Sequence, residues 1–178
     1  MAFYLASDPR RSPFIFQLEL PMPTPAEMIE AYLAGPAQLR AAVAGMTPDQ
    51  LRARPVAGKW STLEVVAHIA DFEPVYADRI RRVAALRKPL LLTADENEYA
   101  ANLAYQERDV NEELDLIEAT RRATARMLRA LPAESWDRPG IHAEKGLVTL
   151  ADLVKAITGH IPHHLPFLAA KKAALGLK

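Results

Sequence analysis

Apolar positions along the chain fall in steps of three and four over four long segments, the period of an α-helix that buries one face. The first segment runs from Pro25 to about Gly45, with Ile29, Leu33, Leu39 and Val43 in its stripe and Gly35-Pro36 predicted to kink it. The second runs from Thr62 to about Arg87 and contains Pro74. The third runs from about Glu107 to Leu131. Its seam is Val110, Leu114, Ile117, Thr124, Leu128 and Leu131, interrupted at Arg121. The fourth runs from Leu150 to about Leu175. Three starts carry capping boxes: Thr24-Pro25-Ala26-Glu27, Ser61-Thr62-Leu63-Glu64 and Thr149-Leu150-Ala151-Asp152. Thr47-Pro48-Asp49-Gln50 opens a further short helical turn, and Asp95-Glu96-Asn97-Glu98 reads as the N-terminus of another before Tyr99 to Tyr105. Pro132 to Val148, rich in proline, glycine and charge, reads as a loop, and no segment alternates as a strand would. The pattern predicts an all-α four-helix bundle over residues 24–178, preceded by an N-terminal arm of residues 1–23.

One stripe of this pattern is chemically odd. In the fourth helix Leu150, Leu153, Ile157, His160, His164 and Phe167 follow the seam, and in the second Val65, His68, Phe72 and Val75 do the same. Three of the five histidines are thereby predicted to face the interior. A buried polar group without a partner costs about 1–3 kcal/mol, against a net stability of about 5–15 kcal/mol for a whole domain. One divalent ion satisfies all three, because histidines at i and i+4 of one helix supply two ligands and His68 a third. The competing reading of each histidine alone is a hydrogen-bonded core residue. His163 lies beside the seam, and His142 in the predicted loop. Pro162 and Pro166 each remove a helical hydrogen bond, so a bend is expected that either shapes a pocket or merely accommodates the prolines.

Composition narrows the partners. The 178 residues contain 22 basic and 22 acidic side chains, so there is no broad basic field to attract nucleic acid. No run approaches the ~20 apolar residues of a membrane span, and the opening MAFYLASDPRRSPFIF breaks its apolar pieces with charge and proline, unlike a signal peptide. A cytoplasmic protein that binds a small molecule, and neither nucleic acid nor membrane, is expected. The absence of cysteine excludes a protein thiol nucleophile, a cysteine-ligated zinc and disulfides.

Two stretches resemble a known family. GKWSTLEVVAHIADFE, Gly58 to Glu73, is similar to the signature of the DinB-like (DinB/YfiT) superfamily, in which a Trp-Ser pair opens a helix and a histidine follows. GLVTLADLV with GHIPHHL, Gly146 to Leu165, resembles that family's last helix with its paired histidines. The likeness spans roughly Ala26 to Lys171, and Pro162 and Pro166 depart from it. It implies a four-helix bundle of unusual connectivity, often a homodimer. It also implies a divalent metal, zinc or nickel, held at positions that match His68, His160 and His164; His163 matches none.

Three neutral imidazoles leave a divalent ion's charge uncompensated and a coordination position open. Such a site lowers the pKa of water for hydrolysis, or holds a substrate thiol as thiolate. The family likeness carries both chemistries, hydrolysis and thiol transfer with a low-molecular-weight thiol as cosubstrate. The alternative is a non-catalytic helical bundle, a binding or stress-related protein with a structural metal or none. Among helpers, Asp71, three residues after His68, is the candidate catalytic residue, as a base or as a carboxylate orienting a histidine; a solvated acid is the plain alternative. Glu73 is expected as a surface charge and Trp60 as a packing anchor more than a pocket wall. Arg121 is expected to reach solvent, or else to bind an anionic substrate.

Overall fold

Each long helix begins where side chains satisfy its free amides. Thr24, Ser61 and Thr149 accept from the amides of Glu27, Glu64 and Asp152, whose carboxylates bond back to the cap residues. The computed structural model describes residues 23–177, so all but the last residue of the expected N-terminal arm lies outside the described residues. The helices are α1 (Pro25–Val43), α2 (Pro48–Arg52), α3 (Thr62–Ala85), α4 (Glu96–Asn102), α5 (Val110–Arg129) and α6 (Leu150–Ala174). The four long ones form the bundle, with α1 and α3 each packed between α5 and α6. None of the described helices is long and apolar enough to cross a membrane.

The loop expected over Pro132 to Val148 is instead partly ordered as sheet. Strands β1 (Leu90–Leu91), β2 (Pro139–His142) and β3 (Gly146–Thr149) form one sheet in that order, β1 parallel to β2 and β2 antiparallel to β3. Strands of two to four residues are too short to print an alternating pattern in the sequence. Gly146 turns the hairpin at a positive φ of 71°. His142, expected in a loop, is a buried residue of β2 whose Nδ1 accepts from the amides of Glu144 and Lys145.

The core is divided. One apolar cluster gathers residues such as Ile29, Ile80, Leu128, Leu150 and Ile157, and a second gathers Leu39, Leu63, Ile69, Ile117, Ile161 and Leu168. Between them along all four helices lies a polar layer built on Arg121, which is fully buried together with Glu73. From α5, Arg121 donates to Glu73 of α3 (Nε to Oε1, 2.8 Å), to the Tyr32 carbonyl of α1 (2.7 Å) and to the Ile157 carbonyl of α6 (3.0 Å). Its guanidinium also lies 4.6 Å from the centre of the Tyr32 ring, and the Tyr32 hydroxyl donates to Glu73 at 3.1 Å. Burial pushes that hydroxyl's pKa up, which keeps it a donor.

This layer corrects two expectations and explains a motif. Glu73 is not a surface charge, and Arg121 does not reach solvent: both are fully buried and paired with each other. α1 continues as helix through the Gly35-Pro36 pair. Pro36 has no N–H, so the Tyr32 carbonyl one turn earlier is free for Arg121. A Cβ on Gly35 would fall 2.3 Å from Arg121 Nη1, so any larger residue there displaces the guanidinium from its bonds.

Candidate metal centre

α6 runs unbroken through Pro162 and Pro166, both of which face solvent. Its buried line is Leu150, Leu153, Val154, Ile157, Ile161 and Leu168, and Phe167 is 46% exposed, against the expected seam. The cause is geometric: a strict seven-residue repeat drifts by about 20° per heptad on a straight α-helix. His160 and His164 therefore sit on the flank of the core, half-buried, while His68 on α3 is 3% exposed.

The three rings converge. His160 Nε2 lies 3.0 Å from His68 Nε2 and 3.2 Å from His164 Nε2, and one ligand nitrogen from each ring falls within 4.8 Å of the others. A neutral imidazole nitrogen offers either one N–H or one lone pair, so His160 Nε2 can complete only one of its two contacts as a hydrogen bond. Hydrogen bonding alone leaves the cluster unsatisfied. Nitrogens bound ~2.1 Å from one ion stand about 3.0–3.4 Å apart; the two contacts of His160 Nε2 fit that spacing, and all three ligand nitrogens lie within 4.8 Å of one another. Burial lowers the pKa of His68 to about 4, His160 to about 3 and His164 to about 4, and at His160 and His164 the neighbouring imidazoles add to the shift. At neutral pH all three are uncharged and carry the lone pairs that a cation requires.

What supports the triad is packing. The His68 ring lies 4.6 Å from Phe72 and 5.3 Å from Trp60, centre to centre. The Nδ1 atoms of His68, His160 and His164 are buried and have no protein hydrogen-bond partner among the described residues. Metal-ligating histidines usually have a carboxylate or carbonyl at this position. Asp71 does not take it: Arg108 holds both Asp71 oxygens at 2.8 and 3.0 Å. Its charge raises the pKa of His68, against the larger effect of burial. His163 is exposed and stacks on His164 and Phe167, outside the converging set.

A cleft of about 420 Å³ opens over His164, walled by Trp60, Val56, Phe167 and Ala170 and bordered by Lys59, Lys171 and Glu96. Trp60 thus both packs on His68 and walls the cleft. Sequence reading did not find Arg108 or Lys171. It did single out Arg121 as a break in the α5 seam, and Glu73, five residues after His68, was available as its buried partner.

Below pH 6.5 the unfolded chain takes up protons that the folded triad refuses. The sign is therefore fixed: metal-free protein keeps the triad's contribution to stability above pH 6.5 and loses it as pH falls toward 4. Urea midpoints measured in chelator between pH 6.5 and 5, above the range where ordinary carboxylates titrate, are expected to fall steadily. The slope should be shallower in His160→Gln.

Fold and site together define a class: a four-helix bundle with three convergent histidines, two from one helix and one from another, the last of them, His164, lining an open cleft. The chain belongs to the DinB superfamily, whose family model matches residues 31–168. A relative from Oceanobacillus iheyensis, provisionally named a metal-dependent hydrolase, is 25% identical over 135 residues, 76% of this chain and 78% of its own. Another from Geobacillus thermodenitrificans, with the same provisional name, is 28% identical over 164 residues, 88% of this chain and 90% of its own. Among solved structures, YfiT from Bacillus subtilis, described as a probable metal-dependent hydrolase of unusual four-helix topology, superposes with a TM-score of 0.82. That match has 22% identity and covers 97% of this chain and 95% of YfiT. The mycothiol-dependent maleylpyruvate isomerase matches with a TM-score of 0.66 and 13% identity, over 83% of this chain and 63% of its own.

Proposed function

We propose that this chain is a metal-dependent enzyme acting on a small molecule, with His68, His160 and His164 holding one divalent ion, zinc or nickel. The observation that carries the reading is the convergence of three uncharged Nε2 atoms beside an open cleft. When bound, an ion with three neutral ligands supplies Lewis acidity and lowers the pKa of a water or thiol that joins it. Trp60 and Phe72 pack against the His68 ring, and His164 faces the open cleft. Asp71, fixed by Arg108, contributes its negative field to His68; a proton-transfer role would require Arg108 to release it.

Hydrolysis is the preferred reaction, supported by the provisional names of the two relatives and of YfiT. Transfer of a thiol is the second reading, favoured by the likeness to a mycothiol-dependent isomerase. The chain has no cysteine, so that reaction needs the thiol as cosubstrate. The test is protein purified without a histidine tag, loaded with zinc or nickel and assayed on two panels. One panel holds chromogenic esters and amides, the other a low-molecular-weight thiol with a fluorogenic electrophile. Turnover on one panel, lost in chelator and in His160→Ala, is expected. Failure to retain one ion per chain overturns the reading.

A further inference from the structure

Lys171 is the buried charged group of the cleft, and the metal reading leaves it unused. It lies seven residues after His164, two turns or ~10.5 Å along the same flank of α6, and lines the same cleft. It is only 4% exposed. Lysine is almost never buried to this degree without an anionic partner. Yet its one hydrogen bond runs 3.4 Å to the Phe167 carbonyl of its own helix, and among the described residues no carboxylate lies within ion-pair distance of it. Glu64, the acid whose field reaches it, is already held by Arg54 and by the Ser61 amide. The other charges at the cleft are Lys59, which repels it, and the exposed Glu96.

We infer that Lys171 is the anion anchor of this cleft, binding an oxyanion on a small molecule whose apolar body lies between Trp60 and Phe167. The inference rests on the metal reading for its orientation: the anionic end lies at Lys171 and the reacting end faces His164. The anion replaces the missing partner of a buried ammonium, and a charge-assisted bond there is among the stronger contacts a small ligand can make. A neutral analogue of the same shape can accept a hydrogen bond from Lys171 but brings no compensating charge. Carboxylates and phosphate monoesters share the required chemistry.

The probes are phenylacetate, phenyl phosphate and neutral phenylacetamide, titrated calorimetrically into metal-free and zinc-loaded protein. In the metal-free protein, where a carboxylate cannot ligate an ion, at least one anionic probe is expected to bind about tenfold or more tighter than phenylacetamide. Whichever of the two binds tighter assigns the oxyanion. Lys171→Met should erase that preference while keeping one zinc per chain, and Lys172→Met should leave it intact. If Lys171→Met does not fold, the decisive reading is thermal stabilisation of the wild-type chain by the anionic probes over phenylacetamide. Equal binding of all three probes to the wild-type protein, or no binding at millimolar concentration, overturns the inference. So does an unchanged preference in Lys171→Met. Anion preference without zinc binding would retain Lys171 and sink the metal reading; zinc binding without anion preference would do the reverse.

Discussion

Replacing His68 by alanine is expected to abolish stoichiometric zinc binding while leaving the bundle folded. The ring supplies one of three convergent nitrogens, and the two that remain come from a single helix. Loss of an outer partner of a metal ligand already weakens affinity by about 10–100-fold, so loss of the ligand itself should exceed 100-fold. The fold should tolerate the change. Truncating a buried side chain typically costs ~2–5 kcal/mol, but here it also removes a nitrogen without a partner, which returns about 1–3 kcal/mol. Zinc at a hundred times its dissociation constant stabilises a binding protein by about 2.7 kcal/mol. At this chain length that is ~5–11 °C in melting temperature. Wild type should show this shift and His68→Ala should not, while their far-ultraviolet circular dichroism coincides. A full zinc-induced shift in the variant would remove His68 from the ligand set.

Removing the Arg121 guanidinium should have the largest effect on stability of any single change. Arg121→Met leaves the Glu73 carboxylate fully buried without its counterion and frees the carbonyls of Tyr32 and Ile157. Breaking a buried pair by removing one partner costs about 3–5 kcal/mol, or ~6–20 °C at this size. Calorimetric melting in the presence of chelator isolates this effect from metal binding. The double variant Arg121→Met with Glu73→Met should recover part of the loss, because it leaves no uncompensated charge. If Arg121→Met melts within about 2 °C of wild type, the layer is not the stabilising element described here.

Much of the bundle was legible because its signals are local. Capping boxes at Thr24, Ser61 and Thr149 mark helix starts within the few residues that make them, and the apolar period marks the faces. The triad was legible for the same reason: His68, His160 and His164 each stand out against an apolar line, and the geometry brings those three rings together. The missed features depend on partners distant in sequence. Glu73 beside Pro74 gives no sign of burial until Arg121, 48 residues later, lies against it. Nothing near Asp71 in the sequence marks its ion pair, because the partner, Arg108, lies 37 residues later. Phe167 was misplaced because a heptad ruler was laid on a helix of 3.6 residues per turn. The small sheet escaped because β1 and β2 are far apart in sequence and too short to show a period.

The tie that Arg121 makes to α1, α3 and α6 acts as a longitudinal latch. Oily helices can slide past one another by a turn and still bury their stripes, but a guanidinium that must meet a carboxylate and two carbonyls on three neighbours admits one vertical setting. Because Glu73 lies five residues beyond His68 on α3, and Ile157 three residues before His160 on α6, the same setting aligns the heights of the imidazoles. The spacing of the three rings is thus set from a neighbouring storey of the bundle, by a side chain that makes no hydrogen bond to them.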